Sequence, residues 1–276
     1  MMNPVLIFTV FVFMLTTVFI LFWKKQNKQL ELLVHYLTDD DVPQSNALLI
    51  PSDLPAPVYR YLQKVLPKHA QSISQVRLTQ SGKLRTSLTA QWLSFNAEQH
   101  VAPMTKGFVW QARVNLSVIG HVRVVDSYIR GVASGAVNLL SAFTVASAAD
   151  VAELNSGALH RYLAEAVWYP TALLPQFGVV WIAQDDHTAV ASLTDSGMTV
   201  SLEFKFNDAD EVVAIYTSGR FGQFDGTYKK VPWEGHFSEY QRDNGFLLPR
   251  QAEVGWYDGD KLKLVWQGRI KQISFN

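Results

Sequence analysis

The chain has 276 residues, 48% of them hydrophobic and 12% aromatic, enough for a buried core in one large or two small domains. Lys plus Arg and Asp plus Glu both number 24, and the resulting formal charge of zero argues against a dedicated nucleic-acid binder with its basic excess. The absence of cysteine excludes disulfides, zinc–thiolate sites and thiol nucleophiles, and leaves the compartment open.

Val5 to Trp23 is a run of 19 uncharged residues, nearly all Val, Leu, Ile, Phe and Met with three threonines. At about 1.5 Å per residue it is long enough to cross a hydrocarbon core of roughly 30 Å. Trp23 closes the run and Lys24, Lys25 and Lys28 follow, as at an interfacial anchor. A cleaved signal peptide wants a basic start, a shorter apolar core and a small-residue cleavage site, none of which is present. Residues 1–28 therefore read as a single-pass transmembrane anchor, with the lipid bilayer as the expected partner. Lysines follow the span and none precedes it, which predicts a cytoplasmic main domain; an extracytoplasmic domain is the alternative.

Residues 29–67 read as a juxtamembrane helix, a proline-rich linker and a short helix. Residues 29–37 extend the first helix until Asp39, Asp40 and Asp41 interrupt it. Pro43, Pro51, Pro55 and Pro57 mark residues 42–57 as linker. Pro57 suits a first helical position, Val58, Tyr61, Leu62 and Val65 recur at the helical period, and Pro67 ends the helix. Arg60, Lys64 and Lys68 read as a solvated face.

From residue 68 to 276 the dominant period is two. Val76, Leu78 and Gln80 alternate with Arg77 and Thr79, and strands are predicted over 83–95 and 97–103. Residues 107–117 and 121–131 flank Gly120 as a hairpin rich in β-branched and aromatic residues. Residues 132–149 are small and uncharged, either a strand pair or a buried loop. Further strands are expected at 178–184, 188–194, 198–206, 211–221, 233–241, 250–257 and 262–275, with Asp- and Gly-rich turns between them. The fold class is mainly β (α+β): a curved antiparallel sheet or half-barrel with one packed central helix.

That helix is predicted over 155–169. Asn155 suits the cap, with Leu154 and Leu159 as a staple across it. Leu159, Leu163, Ala166 and Val167 form the stripe it buries, and Pro170 ends it. Arg161 and Glu165 lie four apart and meet on one face, either as a structural salt bridge or as the polar part of a pocket beside Tyr162, Trp168 and Tyr169. Trp110, Trp181, Trp233, Trp256 and Trp266 fall on strands or their ends, where aromatics form core or line a concave sheet.

No catalytic or cofactor motif is present. Gly131-Val-Ala-Ser134-Gly135 has the wrong spacing for a nucleophile elbow. There is no Walker loop, dinucleotide glycine pattern or metalloprotease motif. His35, His69, His100, His121, His160, His187 and His236 are scattered without metal-ligand spacing. Glu165, Glu203, Glu234 and Glu253 could meet in space as an acid–base pair, but sequence separation does not show it, and a glycosidase-like pair is unsupported.

The strings Arg161-Tyr-Leu-Ala-Glu-Ala-Val-Trp-Tyr-Pro-Thr-Ala-Leu-Leu-Pro175, Gly107-Phe-Val-Trp-Gln-Ala-Arg113, Val200-Ser-Leu-Glu-Phe-Lys-Phe206 and Leu54-Pro-Ala-Pro-Val-Tyr-Arg-Tyr-Leu62, with Pro232-Trp233, resemble a bacterial family catalogued as a domain of unknown function. The likeness runs from about Leu54 to the C-terminus and brings no activity with it. More loosely, the layout resembles the curved sheet with an inserted helix of lipoprotein-carrier folds, an analogy that carries no function.

Three functions follow as expectations. The first is binding of an apolar or amphipathic, lipid-like ligand in the sheet, with Arg161, Glu165, Trp168, Tyr169, Trp110 and Trp181 as the candidate lining. The second is an enzyme using Arg161 and Glu165, with Arg250 or Glu253. The third is an envelope scaffold or assembly protein, which would expose a large apolar patch. The missing motifs favour binding over catalysis, with no cofactor.

Overall fold

A computed structural model describes residues 3–39, 48–116 and 120–276. Asp40, Asp41, Pro43 and Ser117, which figure in the expected helix break, linker and hairpin, lie outside those residues.

The apolar run and the juxtamembrane segment form one helix, α1 (Pro4–Thr38). No Gly or Pro follows Pro4 within it, so nothing breaks it, and it extends about 52 Å. The Asn3 side chain accepts a hydrogen bond from the Val5 amide at its start. Its second half is amphipathic: Leu30, Leu33, Val34 and Leu37, at the i, i+3, i+4, i+7 spacing, pack on Ala102, Val109 and Val125. The short second helix is α2 (Ala56–Val65), with Val58, Tyr61, Leu62 and Val65 buried as the periodicity predicts. Arg60 and Lys64 are not merely solvated. They pair with Asp210 at 2.7 Å and Glu211 at 3.0 Å, fixing α2 to a turn of the sheet.

Among the described residues thirteen strands follow, all paired antiparallel in one sheet. β1 (Val76–Leu84), β2 (Leu93–Ala102), β3 (Gly107–Asn115), β4 (His121–Ile129), β5 (Val132–Leu139) and β6 (Phe143–Ala149) form one meander. β7 (Val179–Asp185), β8 (Thr188–Asp195), β9 (Met198–Phe206), β10 (Val212–Phe224), β11 (Thr227–Asp243), β12 (Phe246–Asp258) and β13 (Lys261–Phe275) form another. The β1–β13 pairing joins them, so the order runs from β6 through β1 and β13 to β7. The expected strand over 83–95 is broken. Arg85 to Trp92 turns instead, because the Ser87 hydroxyl accepts the Ala90 amide at 3.1 Å and competes with ladder pairing. Residues 132–149 form the strand pair.

The two edge strands are β6 and β7, and residues 150–178 connect them. A chain joining both edges of one curled sheet must cross its mouth, and this one does so as α3 (Ala152–Glu165) followed by 3-10 turns at 166–168, 170–173 and 175–177. α3 lies against β4, β5, β9 and β10. The Tyr128 hydroxyl donates to Asp195 at 2.7 Å, tying β4 to the end of β8 and holding the sheet curled. Leu159, Leu163, Val167, Tyr169 and Leu173 are fully buried in the concave face, with Phe95, Phe108 and Phe204 from the strands.

The helix starts three residues before its predicted cap. Val151 precedes it with no side-chain cap, and Asn155 lies inside the first turn. The Asn155 side chain serves the sheet instead. Its oxygen accepts the Ala133 amide at 2.8 Å and its nitrogen donates to Asp150 at 3.3 Å, pinning α3 to β5. Helical hydrogen bonding ends at Glu165, and Pro170 and Pro175 open 3-10 turns because neither can donate.

Close approach of α3 to β10 depends on Gly157, where a Cβ would stand 2.9 Å from the Phe221 carbonyl oxygen. Gly157→Val is expected to destabilise the full-length protein by about 1–3 kcal/mol in chemical denaturation, the range for overpacking a tight contact. An unchanged midpoint would show that α3 does not sit against β10.

Candidate functional site

α3 carries Arg161 into the concave face, where two carboxylates and two rings receive it. Arg161 Nε donates to Glu165 Oε1 at 2.7 Å and Nη1 to Asp126 Oδ2 at 3.1 Å. Its guanidinium lies 4.9 Å from the centroid of Phe108 and 5.0 Å from that of Trp110, within cation–π range. Glu165 Oε2 accepts Gln99 Nε2 at 2.6 Å, and Gln80 Nε2 donates to Gln99 Oε1 at 3.4 Å. Trp110 Nε1 then donates to Gln80 Oε1 at 2.9 Å. Gln80 and Gln99 are buried, so the chain of amides satisfies polar groups that water cannot reach.

A second arginine enters from β10. Arg220 Nε and Nη2 both donate to the Gly157 carbonyl, at 3.1 and 2.9 Å. Its guanidinium lies 4.6 Å from Trp233 and 5.1 Å from Trp256. Two guanidinium groups thus face two carboxylates. Burial, with Arg161 adding, lowers Arg220 to about 10. Burial alone would lower Arg161 as well, but Glu165 and Asp126 outweigh it and hold it above its ordinary value. Partial desolvation beside α3 raises the Asp126 carboxyl despite Arg161. Asp126 is the wetter acid of the two, 39% exposed against 14% for Glu165.

Beside this network a cleft of about 240 Å³ opens between α3, β4, β5 and β10. Phe108, Leu154, Ala158, Phe221 and Trp256 give it apolar walls, and Asp126, Arg161 and Arg220 are its charged groups. Its volume falls just short of the roughly 300–1,000 Å³ usual for small-molecule sites. The concavity behind it is filled by α3.

Of the six expected lining residues, Arg161, Glu165 and Trp110 come together. Trp168 is core: its Nε1 donates to the Pro249 carbonyl at 3.1 Å and its ring meets Phe237 edge-on. Tyr169 is core, donating to the Tyr162 carbonyl at 2.8 Å. Trp181 donates to the Leu173 carbonyl at 2.9 Å and packs on Phe204, away from the arginines. Arg250 pairs with Asp243 at 2.5 Å instead of joining Arg161. Glu253 joins Glu234 around His236, at 3.2 and 2.6 Å, on the outer face of β11 and β12. Burial would lower His236, but hydrogen bonds and charge from Glu234 and Glu253 prevail and raise it.

Asp126, Gln80, Gln99 and Arg220 are the members that sequence reasoning missed. The register places Asp126 opposite Trp110, so it is a carboxylate on the inward face of a hairpin of known alternation, which is a readable signal. Gln80 continues the inward series of Val76 and Leu78. Arg220 follows an irregularity between Thr217 and Arg220 that breaks the alternation, and nothing local announces it.

Arg161→Met would leave Glu165 without its cation in a largely dry site and Asp126 without its partner at the cleft wall. The expected cost is about 3 kcal/mol in denaturation of the full-length protein, in the range for breaking a buried pair. A loss below about 0.5 kcal/mol, as for an exposed pair, would contradict the network.

Comparison with solved structures finds low-identity matches. A domain provisionally assigned to outer membrane lipoprotein sorting from Vibrio parahaemolyticus matches at 6% identity and TM-score 0.40, covering 73% of this chain and 85% of that one. A LolA superfamily protein from Nitrosomonas europaea matches at 6% identity and TM-score 0.37, covering 80% and 92%. A DUF1329 family protein from Desulfovibrio piger matches at 8% identity and TM-score 0.34, covering 74% and 86%. Comparison with curated proteins finds no match. The model of DUF6920, a family of unknown function, matches residues 52–275, which takes in α2, all thirteen strands and α3. The chain belongs to the DUF6920 family.

Proposed function

We propose that the protein is a membrane-anchored binding domain whose cleft takes an amphiphile with an anionic head. The carrying observation is the cleft itself: Arg161 and Arg220 stand among Phe108, Leu154, Ala158, Phe221 and Trp256. Mostly apolar walls with a few fixed polar groups are what a small-molecule site requires. A guanidinium held by aromatic faces is already desolvated and oriented, so an incoming phosphate or carboxylate meets a preorganised partner. Asp126 is the competing anion. Its raised carboxyl gives way by taking a proton, freeing one Arg161 donor for the ligand.

The anchor is α1, whose apolar window is fully outside the protein's own core and long enough to span a bilayer. It keeps the cleft within reach of membrane amphiphiles. Catalysis by Arg161 and Glu165 finds less support, because Glu165 is committed to Arg161 and Gln99, and because Arg250 and Glu253 bond elsewhere.

Native mass spectrometry of the full-length protein in nonionic detergent, with lysophosphatidylglycerol as probe, tests this reading. The expected result is a retained one-to-one adduct that grows as pH falls and Asp126 is protonated, the phosphodiester staying charged. Ala158→Trp fills the cleft and is expected to abolish the adduct with an unchanged far-ultraviolet dichroism spectrum. No adduct, or an adduct unaffected by Ala158→Trp, would contradict the proposal.

A further inference from the structure

We propose that the β5–β6 hairpin is a second membrane contact, seated in the leaflet from which α1 emerges. This rests on reading α1 as the anchor. Phe143, the first residue of β6, lies with its ring centroid 5.3 Å from Phe22 and 6.1 Å from Phe19. Those two residues precede Trp23 by one and four positions, about 1.5 and 6 Å along the helix. The Phe143 ring is therefore level with the last turn of the apolar run, on its membrane side.

Polar contacts begin just beyond. Gln26 Nε2 donates to Thr144 Oγ1 at 3.1 Å, and Arg123 Nη1 donates to Asn27 Oδ1 at 2.6 Å. Arg123 Nη2 also donates to the Ser141 carbonyl at 3.2 Å, at the hairpin tip. α1 is apolar before Trp23 and polar after it, and the start of β6 follows that change, Phe143 meeting the apolar side and Thr144 the polar side. That is the profile of a bilayer interface.

The tip keeps apolar surface after α1 has packed on it. Leu139, Phe143 and Val145 are 39%, 38% and 61% exposed. Leu116, also exposed, lies at the same end of the sheet, since Asn115 pairs with His121, Val122 with Leu139, and Leu139 with Phe143. β6 carries no charge along its length. Among the described residues β6 is an edge strand, and hydrocarbon would leave backbone N–H and C=O groups along such an edge unsatisfied. The hairpin therefore seats at headgroup and upper acyl depth, where water and lipid oxygens supply partners. Headgroups and upper acyl chains of the bilayer are the partner.

The chain has no cysteine, so single-cysteine spin labels can be set in the full-length protein without background. Labels at Leu15→Cys, Tyr36→Cys and Val145→Cys would be read in phosphatidylethanolamine–phosphatidylglycerol nanodiscs by accessibility to oxygen and to a polar nickel chelate. Leu15 lies mid-span, and Tyr36 is 13 residues, about 20 Å, past Trp23. The expected result is an oxygen-to-nickel ratio at Val145 several-fold above that at Tyr36 and below that at Leu15. Adding Phe143→Asp is expected to return the Val145 label to the aqueous ratio. An aqueous Val145 label beside a deep Leu15 label would overturn the hairpin contact and leave the anchor standing. An aqueous Leu15 label would overturn both. Spin–spin broadening at Val145 in place of the lipid signature would mean that a second copy covers the edge, and would overturn the proposal as well.

Discussion

The structure depends on α3 filling the mouth of the sheet, where it shares one buried core with α2 and the inward faces of the strands. Both edge strands, β6 and β7, belong to one thirteen-stranded sheet, and residues 150–178 must bridge them. Such a sheet exposes one apolar concave face unless something packs into it. Leu159, Leu163, Val167, Tyr169 and Leu173 supply that layer, each buried side chain contributing roughly 1.5–3 kcal/mol. A fourteen-residue helix is marginal by itself, so helix and curled sheet stabilise one another. Tyr128 and Asp195 hold the curl from outside the helix.

The same seating determines the chemistry. A helix entering a sheet concavity on this path carries Arg161 out of water, and an unpaired guanidinium there would be costly. Glu165, Asp126 and the faces of Phe108 and Trp110 satisfy it, and the Gln99–Gln80–Trp110 chain satisfies Glu165 in turn. Arg220 uses the Gly157 carbonyl, an acceptor exposed because that helical position has no side chain. The charged cleft is thus where helix, hairpin and β10 meet.

Much of the fold was legible because it is written in local periods. Alternation located most strands, since each buries one face, and an uninterrupted apolar run followed by Leu30, Leu33, Val34 and Leu37 gave α1. The start of α3 was misread because Asn155 is a residue type that caps helices, yet here its side chain bonds β5. The pairing of Arg161 with Glu165 follows from helical spacing, but the third and fourth charges come from β4 and β10, which sequence separation does not connect. Glu234, His236 and Glu253 were likewise invisible as a group until register set β11 beside β12. Trp168 and Tyr169 are conspicuous in sequence and lie buried in the core, each donating to a backbone carbonyl.

Hydrogen–deuterium exchange of the full-length protein in nanodiscs separates a helix fixed in the core from one that opens as a lid, and so bears on the role of α3 without an intermediate assumption. If α3 is the inner layer of the sheet, amides of residues 156–165 and of the central strands β1 and β13 exchange together, at the slow rate set by global unfolding. Exchange of α3 much faster than the central strands would show that the helix leaves the concavity independently, and would contradict its role as the layer on which the sheet is built.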